Sequence, residues 1–346
     1  MKVSHWVTLA VVGVLALALT TAGAMARTDG PVAKKASFTA ALISDIGRFN
    51  DRSFNQSQLE GLKRAKAQLG VAILPLESKS TSDYAPNFNT AVRKHANLVI
   101  AAGFLLANTT ATYAKKFPDT NFAITDYPVE APPFADKTGT PLYTNVEGLT
   151  YAANESGCLV GVLAAKMAAA MGKKVIGAVG GLKIPPVDIW IAGYRYCAKK
   201  VVKGIVVKIG YSQSFTASDK CKTVAENQIA QGARVLFQVA GGCGLGTLKA
   251  ADEAGLWGIG VDKDQYNDAR RVLTSGVKRV DVGVFKAVQQ ANAGNFQGGS
   301  DLNFTLKNGG MAVGKINPAV PKAYITLMKS YKKKIIAGTL KVPTAL

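Results

Sequence analysis

The sequence predicts an α/β protein built from two doubly wound lobes with parallel sheets. Short apolar segments of strand length alternate with segments of helical periodicity, and one proline-rich stretch interrupts the alternation. Such alternation is typical of parallel sheets that are covered by helices on both faces. The length of 346 residues and the hydrophobic content of 48% provide material for two cores and exclude a disordered chain.

The elements of the first half form successive strand–helix–strand units. Apolar residues recur at helical spacing from Leu59 to Leu69, between two extended segments, and the unit then repeats. The predicted strands are 38–44, 71–75, 98–102 and 121–125. Four prolines between 128 and 141 break the pattern, and we interpret this stretch as a crossing between the lobes.

The second half resumes the same alternation. The predicted helices are 155–171, 187–200, 218–230 and one that ends at 254, and the predicted strands are 175–179, 205–209, 235–239 and 257–261. Because these strands are short and apolar, we expect a second buried parallel sheet.

The first 26 residues have the pattern of a cleaved signal peptide. Lys2 precedes an apolar run over 7–18, and Ala24-Met25-Ala26 matches the A-x-A cleavage signal. The run is shorter than the roughly 18 residues of a membrane-spanning helix, which argues against the alternative of an uncleaved anchor. No cysteine precedes Cys158, so the lipid-accepting cysteine of a lipoprotein is missing. We therefore expect a periplasmic or secreted protein.

The charge balance is strongly basic. Lys and Arg number 42 against 22 Asp and Glu, which gives a net charge of +20. The basic residues are scattered, and no helix-turn-helix or aromatic-basic motif accompanies them, so we expect no nucleic-acid partner. We assign the charge to a solvated surface, with an anionic partner such as a membrane surface as the lesser alternative.

Export to an oxidising compartment would permit the cysteines to form disulfides. The four cysteines are Cys158, Cys197, Cys221 and Cys243. Of the three connectivities we favour Cys158–Cys197 and Cys221–Cys243. The first pair falls on the two helices that flank strand 175–179, and the second on the starts of helices that follow consecutive strands. The spacing matches no zinc pattern, and His95 is the only histidine after cleavage, so we expect neither a metal site nor a cofactor.

The sequence contains none of the common catalytic motifs. The glycine cluster over 241–246 fits neither G-x-G-x-x-G nor a Walker A loop, and the G-x-S-x-G and H-E-x-x-H motifs are missing, so we expect no enzyme. Two interpretations of the cluster remain open: a tight turn with close helix packing, or a ligand site made of backbone donors.

The richest polar loop, over 45–56, follows the first predicted strand, where open α/β sheets bind ligands. Asp51 or Ser53 is expected to cap the next helix. Phe54 beside Asn55 suits stacking on a planar ligand, with a buried core phenylalanine as the alternative.

Ordered motifs along the chain are more specific than any single loop. Asp45-x-Gly-x-x-Asn-Asp-x-Ser-Phe-Asn-Gln is followed by Phe117-Pro118-Asp119, Glu155-Ser156-Gly157, the glycine cluster, Gly260-Val261-Asp262 and Val277-Lys278-Arg279-Val280-Asp281. In this order they resemble the basic membrane protein family, the PnrA-like purine-nucleoside-binding proteins of ABC transporters. The resemblance extends over essentially the whole mature chain.

The resemblance implies the periplasmic-binding-protein type I fold, an α/β fold in which a three-segment hinge joins the two lobes. The implied first lobe covers 37–148 with a returning segment at about 277–300. The implied second lobe covers 149–276 with a C-terminal segment at about 301–346.

The resemblance also implies ligand-binding roles for ten residues. Phe54 and Phe215 lie on the two faces of the base, and Asp126 binds its edge. Asp262 and Lys278 hold the sugar hydroxyls. The walls of the cleft are lined by Asp45 and Asn55 in the first lobe and by the backbone of Gly241, Gly242 and Gly244 in the second.

The implied function is that of an extracytoplasmic solute-binding protein of an ABC transporter. It would act as a monomer, without a cofactor, and deliver a purine nucleoside or a related ring compound to a membrane permease. The alternative is a ligand sensor in extracytoplasmic signalling that uses the same fold.

Overall fold

The structure is a computed structural model that describes residues 38–346. The expected signal peptide over 1–26 lies outside the described residues. Two six-stranded sheets, each covered by helices on both faces, form two α/β lobes, which confirms the predicted fold class. No helix among the described residues has the length and apolar character required to cross a bilayer.

The first lobe contains an all-parallel sheet. Its strands are β1 (Thr39–Ile43), β2 (Ala72–Leu76), β3 (Leu98–Ala101), β4 (Asn121–Thr125), β5 (Val146–Tyr151) and β11 (Asp301–Phe304), in the order β2-β1-β3-β4-β5-β11. Successive residues of β1 face opposite layers. Ala40 and Leu42 pack under α1 (Phe54–Leu69) and α8 (Val280–Asn292), and Ala41 and Ile43 under α2 (Tyr84–Arg93) and α3 (Ala107–Lys116).

The second lobe repeats this arrangement. Its strands are β6 (Val175–Gly180), β7 (Val206–Tyr211), β8 (Val235–Val239), β9 (Trp257–Asp262), β10 (Val272–Lys278) and β12 (Met311–Val313), in the order β7-β6-β8-β9-β10-β12. Only the edge strand β12 is antiparallel. One layer of helices consists of α4 (Ala153–Ala170), α5 (Pro185–Val201) and α9 (Lys322–Ile336), and the other of α6 (Ser218–Ala230) and α7 (Gly244–Glu253).

The chain passes between the lobes three times: from β5 to α4, from β10 to α8, and from β11 to β12. The proline-rich stretch is not one of these crossings, so that interpretation was wrong. The stretch stays with the first lobe, where Phe134 is buried and the Val129 N–H donates to Asp301 Oδ1 at 2.9 Å. β5 then pairs with β4 in the first sheet before the chain leaves this lobe at residue 152.

The strand β11 also differs from the sequence-based lobe assignment. Residues 301–304 were expected with the second lobe, but they pair in parallel with β5 at the edge of the first sheet. The segment Asp301-Leu302-Asn303-Phe304 is short and half polar, so its sequence does not show a buried strand.

Both favoured disulfides are present, Cys158–Cys197 and Cys221–Cys243, with Cα–Cα distances of 4.9 and 5.6 Å. The first links α4 to α5 where the two helices are in unusually close contact. A Cβ atom on Gly193 would lie only 2.0 Å from the carbonyl oxygen of Asn154, so glycine is required there. The second links the starts of α6 and α7, next to the glycine cluster.

Candidate functional site

The carboxyl ends of both sheets face a shared cleft of about 610 Å³, including its open mouth. Eight of the ten residues proposed from the sequence line this cleft: Asp45, Phe54, Asn55, Asp126, Phe215, Gly241, Asp262 and Lys278. Gly242 lines an adjoining groove at the mouth. Gly244 lines neither, because it starts α7 against Gln238, whose Oε1 would lie 1.8 Å from a Cβ atom at this position.

A buried ammonium group lies between carboxylates from the two lobes. Lys278, at the end of β10, donates through Nζ to Asp126 Oδ2 at 2.6 Å, and Nζ lies 3.8 Å from Asp262 Oδ1. The Lys278 side chain is only 3% exposed. Asp126 follows β4 and Asp262 ends β9, which occupy equivalent places in their sheets. The arrangement can hold a neutral polar ligand through one donor and several acceptors.

The two aspartates share an unusual backbone conformation. Their φ angles are 63° at Asp126 and 64° at Asp262, in the left-handed region that non-glycine residues rarely adopt. Strained backbone of this kind concentrates at ligand sites. His95, in an exposed turn, has the same backbone conformation, so the angles at the two aspartates agree with strand ends as well as with a binding role.

Asp262 is held by a hydroxyl of the opposite lobe. Ser53 Oγ donates to Asp262 Oδ2 at 2.8 Å, while Oδ1 faces Lys278 beyond hydrogen-bond distance. Burial raises the pKa of Asp262 to about 6, and the charge of Lys278 opposes this rise. Oδ1 is thus an acceptor available to a ligand hydroxyl.

Asp51, rather than Ser53, caps α1. Its carboxylate accepts from the backbone N–H groups of Ser53, Asn55 and Gln56 at 2.8–3.0 Å. The sequence did not distinguish which of these two residues caps the helix. Because Asp51 satisfies the helix start, the hydroxyl of Ser53 is free to reach Asp262.

Asp45 forms the wall of the cleft in the first lobe. Tyr84 Oη donates to Asp45 Oδ1 at 2.5 Å, and the Ile46 N–H donates to the same oxygen at 2.7 Å. Asn55 Oδ1 accepts from the Asp45 N–H at 3.0 Å. Burial raises the pKa of Asp45 to about 6, against the lowering effect of the Tyr84 hydrogen bond. Sequence reasoning missed Tyr84, because a tyrosine in α2 carries no signal of its partner.

Each lobe contributes an aromatic ring. Phe54 begins α1, and the Lys278 Nζ lies 4.8 Å from the centroid of its ring. Phe215 lies in the loop between β7 and α6 and packs against Gly181. Both rings line the cleft and neither is fully buried. Each ring can therefore offer one face for stacking on a planar ligand.

The cleft also contains apolar residues that the sequence did not single out. They are Phe104 after β3 and Ile184, Pro186, Val187 and Trp190 at the start of α5. Val187 and Trp190 fall in the predicted helix 187–200, where apolar residues are equally typical of the helix core.

Two ion pairs join the lobes. Arg52 Nη2 lies 3.1 Å from Asp268 Oδ1, and Lys263 Nζ lies 2.6 Å from Glu60 Oε1. Both ion pairs join the start of α1 to the loop after β9. Side chains therefore join the two lobes in addition to the three chain crossings. Residues 38–346 contain no group of His, Cys, Asp or Glu side chains suited to holding a metal ion.

Comparisons with known proteins agree with this geometry. A family model described as "ABC transporter substrate-binding protein PnrA-like" matches residues 38–345. The "ABC transporter nucleoside-binding protein BmpA" of Lactococcus lactis is 34% identical, with 92% of each chain covered. An "uncharacterized lipoprotein" of Pyrococcus furiosus is 29% identical over 86% of this chain and 79% of its own. The crystal structure of an ABC transporter solute-binding protein from Aeropyrum pernix K1 superposes with a TM-score of 0.78 at 26% identity, covering 89% of this chain and 93% of that one.

Proposed function

Because the chain belongs to the family of PnrA-like substrate-binding proteins of ABC transporters, we propose that its cleft binds a purine nucleoside and that the closed form delivers it to a membrane permease. The family acts outside the cytoplasm and consists of transporter solute-binding proteins rather than enzymes. Transport is therefore favoured over the sensor alternative.

The observation that carries the nucleoside proposal is the Lys278 ammonium between Asp126 and Asp262, beside the ring of Phe54. A nucleoside presents a flat base and a sugar with neighbouring hydroxyls. In this proposal Phe54 and Phe215 stack on the base and Asp126 accepts from its edge. Asp262 Oδ1 and Lys278 bind the ribose hydroxyls, one as acceptor and one as donor.

The remaining proposed residues complete the walls. Asp45 and Asn55 are linked to each other and line the first-lobe side, and Gly241 brings the backbone of the second lobe to the cleft. Gly242 would contact only a ligand that extends into the groove at the mouth. Gly244 is not a direct contact in this proposal, because it packs on Gln238.

Four further parts of the proposal concern the state of the protein. We propose a monomer without a cofactor, exported by cleavage after Ala26 and released without a lipid. Because the Pyrococcus furiosus relative is named a lipoprotein, the absence of a lipid is the first of these points to test.

Isothermal titration calorimetry tests the ligand class. We expect adenosine, guanosine or inosine to bind, and ribose and hexoses not to bind, because a sugar alone leaves the two aromatic rings unstacked. Binding of a hexose in preference to every purine nucleoside would contradict the proposal.

A further inference from the structure

The outer surface of the second lobe carries a concentration of cationic side chains, which we call the lysine face. α4 lies between α5 and α9 on one side of the second sheet, and the C-terminal tail reaches α5 through Pro343. The cationic residues on these helices, on the turns after them and on the tail are Lys166, Lys173, Lys174, Arg195, Lys199, Lys200, Lys203, Lys322, Lys329, Lys332, Lys333, Lys334 and Lys341.

The lysine face has almost no compensating negative charge. The three helices contain only two acidic residues, and each accepts a hydrogen bond elsewhere: Glu155 from the Leu306 N–H at 2.6 Å, and Asp188 from Tyr211 Oη at 2.5 Å. Residues 302–346 contain no Asp or Glu. Within the part of the chain that the structure describes, no cation of this face has a carboxylate oxygen within 4.0 Å.

The opposite layer of the same lobe shows a different pattern. On α6 and α7, Lys222 Nζ lies 2.7 Å from Glu253 Oε2 and 3.6 Å from Glu226 Oε1. Lys249 Nζ lies 3.8 Å from Glu253 Oε1. Lys222 and Lys249 on one side of the lobe thus have acidic partners, whereas the cations of the lysine face have none, which a uniformly solvated basic surface would not require.

We propose that the lysine face binds the surface of a bilayer rich in anionic phospholipids. This goes beyond ligand binding in the cleft, since none of its residues lines the cleft. Lysines near an anionic surface each contribute to attraction, and their stems lie along apolar surface. The face also carries amphipathic groups, with Lys200 Nζ 5.1 Å from the ring of Tyr196, and Ile336 is 38% exposed between the lysines of α9 and the tail.

The composition of the face favours lipid over other polyanions. Its charges are almost all lysines, spread over separate helices and the tail, which fits a laterally mobile layer of headgroups. The helix-turn-helix and aromatic-basic motifs that accompany nucleic-acid binding are missing from the sequence. A solute-binding protein outside the cytoplasm must also meet its permease at a membrane, and attachment by this face would leave the cleft accessible.

Two matched variants test the proposal. One replaces Lys199, Lys200, Lys329 and Lys333 with Gln, and the control replaces Lys63, Lys66, Lys115 and Lys116 on α1 and α3. All eight lysines are exposed and helical, each set includes a pair in the last turn of one helix, and the change in net charge is the same. Lysine and glutamine have similar helix propensity, so both variants should fold.

Co-sedimentation with vesicles of equal parts phosphatidylglycerol and phosphatidylcholine measures binding. At about 0.1 M salt we expect the wild type and the control variant to bind, and the lysine-face variant to bind roughly 1,000-fold more weakly. Binding should disappear at about 1 M salt, where the Debye length falls to about 3 Å, and with phosphatidylcholine alone.

Three outcomes overturn the proposal. They are no binding of the wild type to the anionic vesicles, an equal loss in both variants, and displacement by polyglutamate or duplex DNA more readily than by soluble phosphatidylglycerol. Titration of each variant with inosine probes the cleft separately, so a failure here remains distinguishable from a failure of the nucleoside proposal.

Discussion

Replacement of Glu147 by Gln should make the protein more stable at alkaline pH. Glu147 lies on β5 with its side chain fully buried, and neither carboxylate oxygen has a hydrogen-bond partner among the described residues. Burial, with a contribution from the charge of Asp301, raises the pKa of Glu147 from 4.5 to about 7. Ionisation of this group in the folded protein is therefore unfavourable.

The magnitude follows from the difference in pKa between the unfolded and folded states. A rise of about 2.5, at about 1.4 kcal/mol for each pKa unit, corresponds to about 3 kcal/mol. The folded state holds its proton more tightly, so this stability is fully present below pH 4.5 and is lost as the pH rises through about 7. Glutamine has nearly the same shape but does not titrate. The Glu147→Gln variant should therefore match the wild type near pH 4.5 and exceed it by about 3 kcal/mol at pH 8.

Urea denaturation followed by tryptophan fluorescence, at several values between these limits, measures the difference. Asp119→Asn provides the matched control, because Asp119 is exposed and forms no ion pair among the described residues. Its replacement should give a stability difference from the wild type that does not change with pH. Other titrating groups, including Asp45 and Asp262, cancel when variant and wild type are compared at the same pH. A difference for Glu147→Gln that does not change with pH, or that makes the variant less stable at pH 8, would refute the reasoning.

Three further predictions concern the cleft, the second disulfide and the N-terminus. Phe54→Ala and Phe215→Ala should each weaken nucleoside binding by about 1–3 kcal/mol in calorimetry, since each removes a stacking face; unchanged affinity in both would remove these rings from the site. Replacing Cys221 and Cys243 together by Ser should lower the free energy of unfolding by about 3 kcal/mol in urea, because the bridge closes a 22-residue separation, and an unchanged midpoint would contradict this. Mass spectrometry should find a mature chain that starts near Arg27; a diacylglyceryl adduct or retained residues 1–26 would show otherwise.

Most of the parallel core could be predicted from the sequence, because its strands are short apolar runs. The strands 121–125 and 235–239 and the helix 218–230 have the predicted bounds. β5 was not anticipated, since it contains the buried Glu147 and follows the proline-rich stretch. That stretch contains turn residues that are equally typical of a surface loop and of a hinge. Only the pairing of β5 between β4 and β11 distinguishes the two.

The residues of the candidate site could be predicted from the sequence where they fall in the ordered motifs. Asp126, Asp262 and Lys278 are far apart in the chain, and their meeting depends on two equivalent strands and a hinge crossing. Contacts outside the motifs could not be foreseen. Tyr84 reaches Asp45 from α2, and Trp190 lines the cleft from α5, although both have the pattern of core residues.

The pairing of Asp262 with Lys278 is central to the proposed function, and the affinity difference between a nucleoside and its free base tests it most directly. Without the sugar, a buried carboxylate and ammonium are left without ligand partners, which can cost as much as roughly 10⁴-fold in affinity. Calorimetry should show inosine binding far more tightly than hypoxanthine, with 2′-deoxyinosine in between. Asp262→Ala should remove most of that difference, while the matched change Asp119→Ala at an exposed position should not. Equal affinity of the wild type for inosine and hypoxanthine would contradict the account.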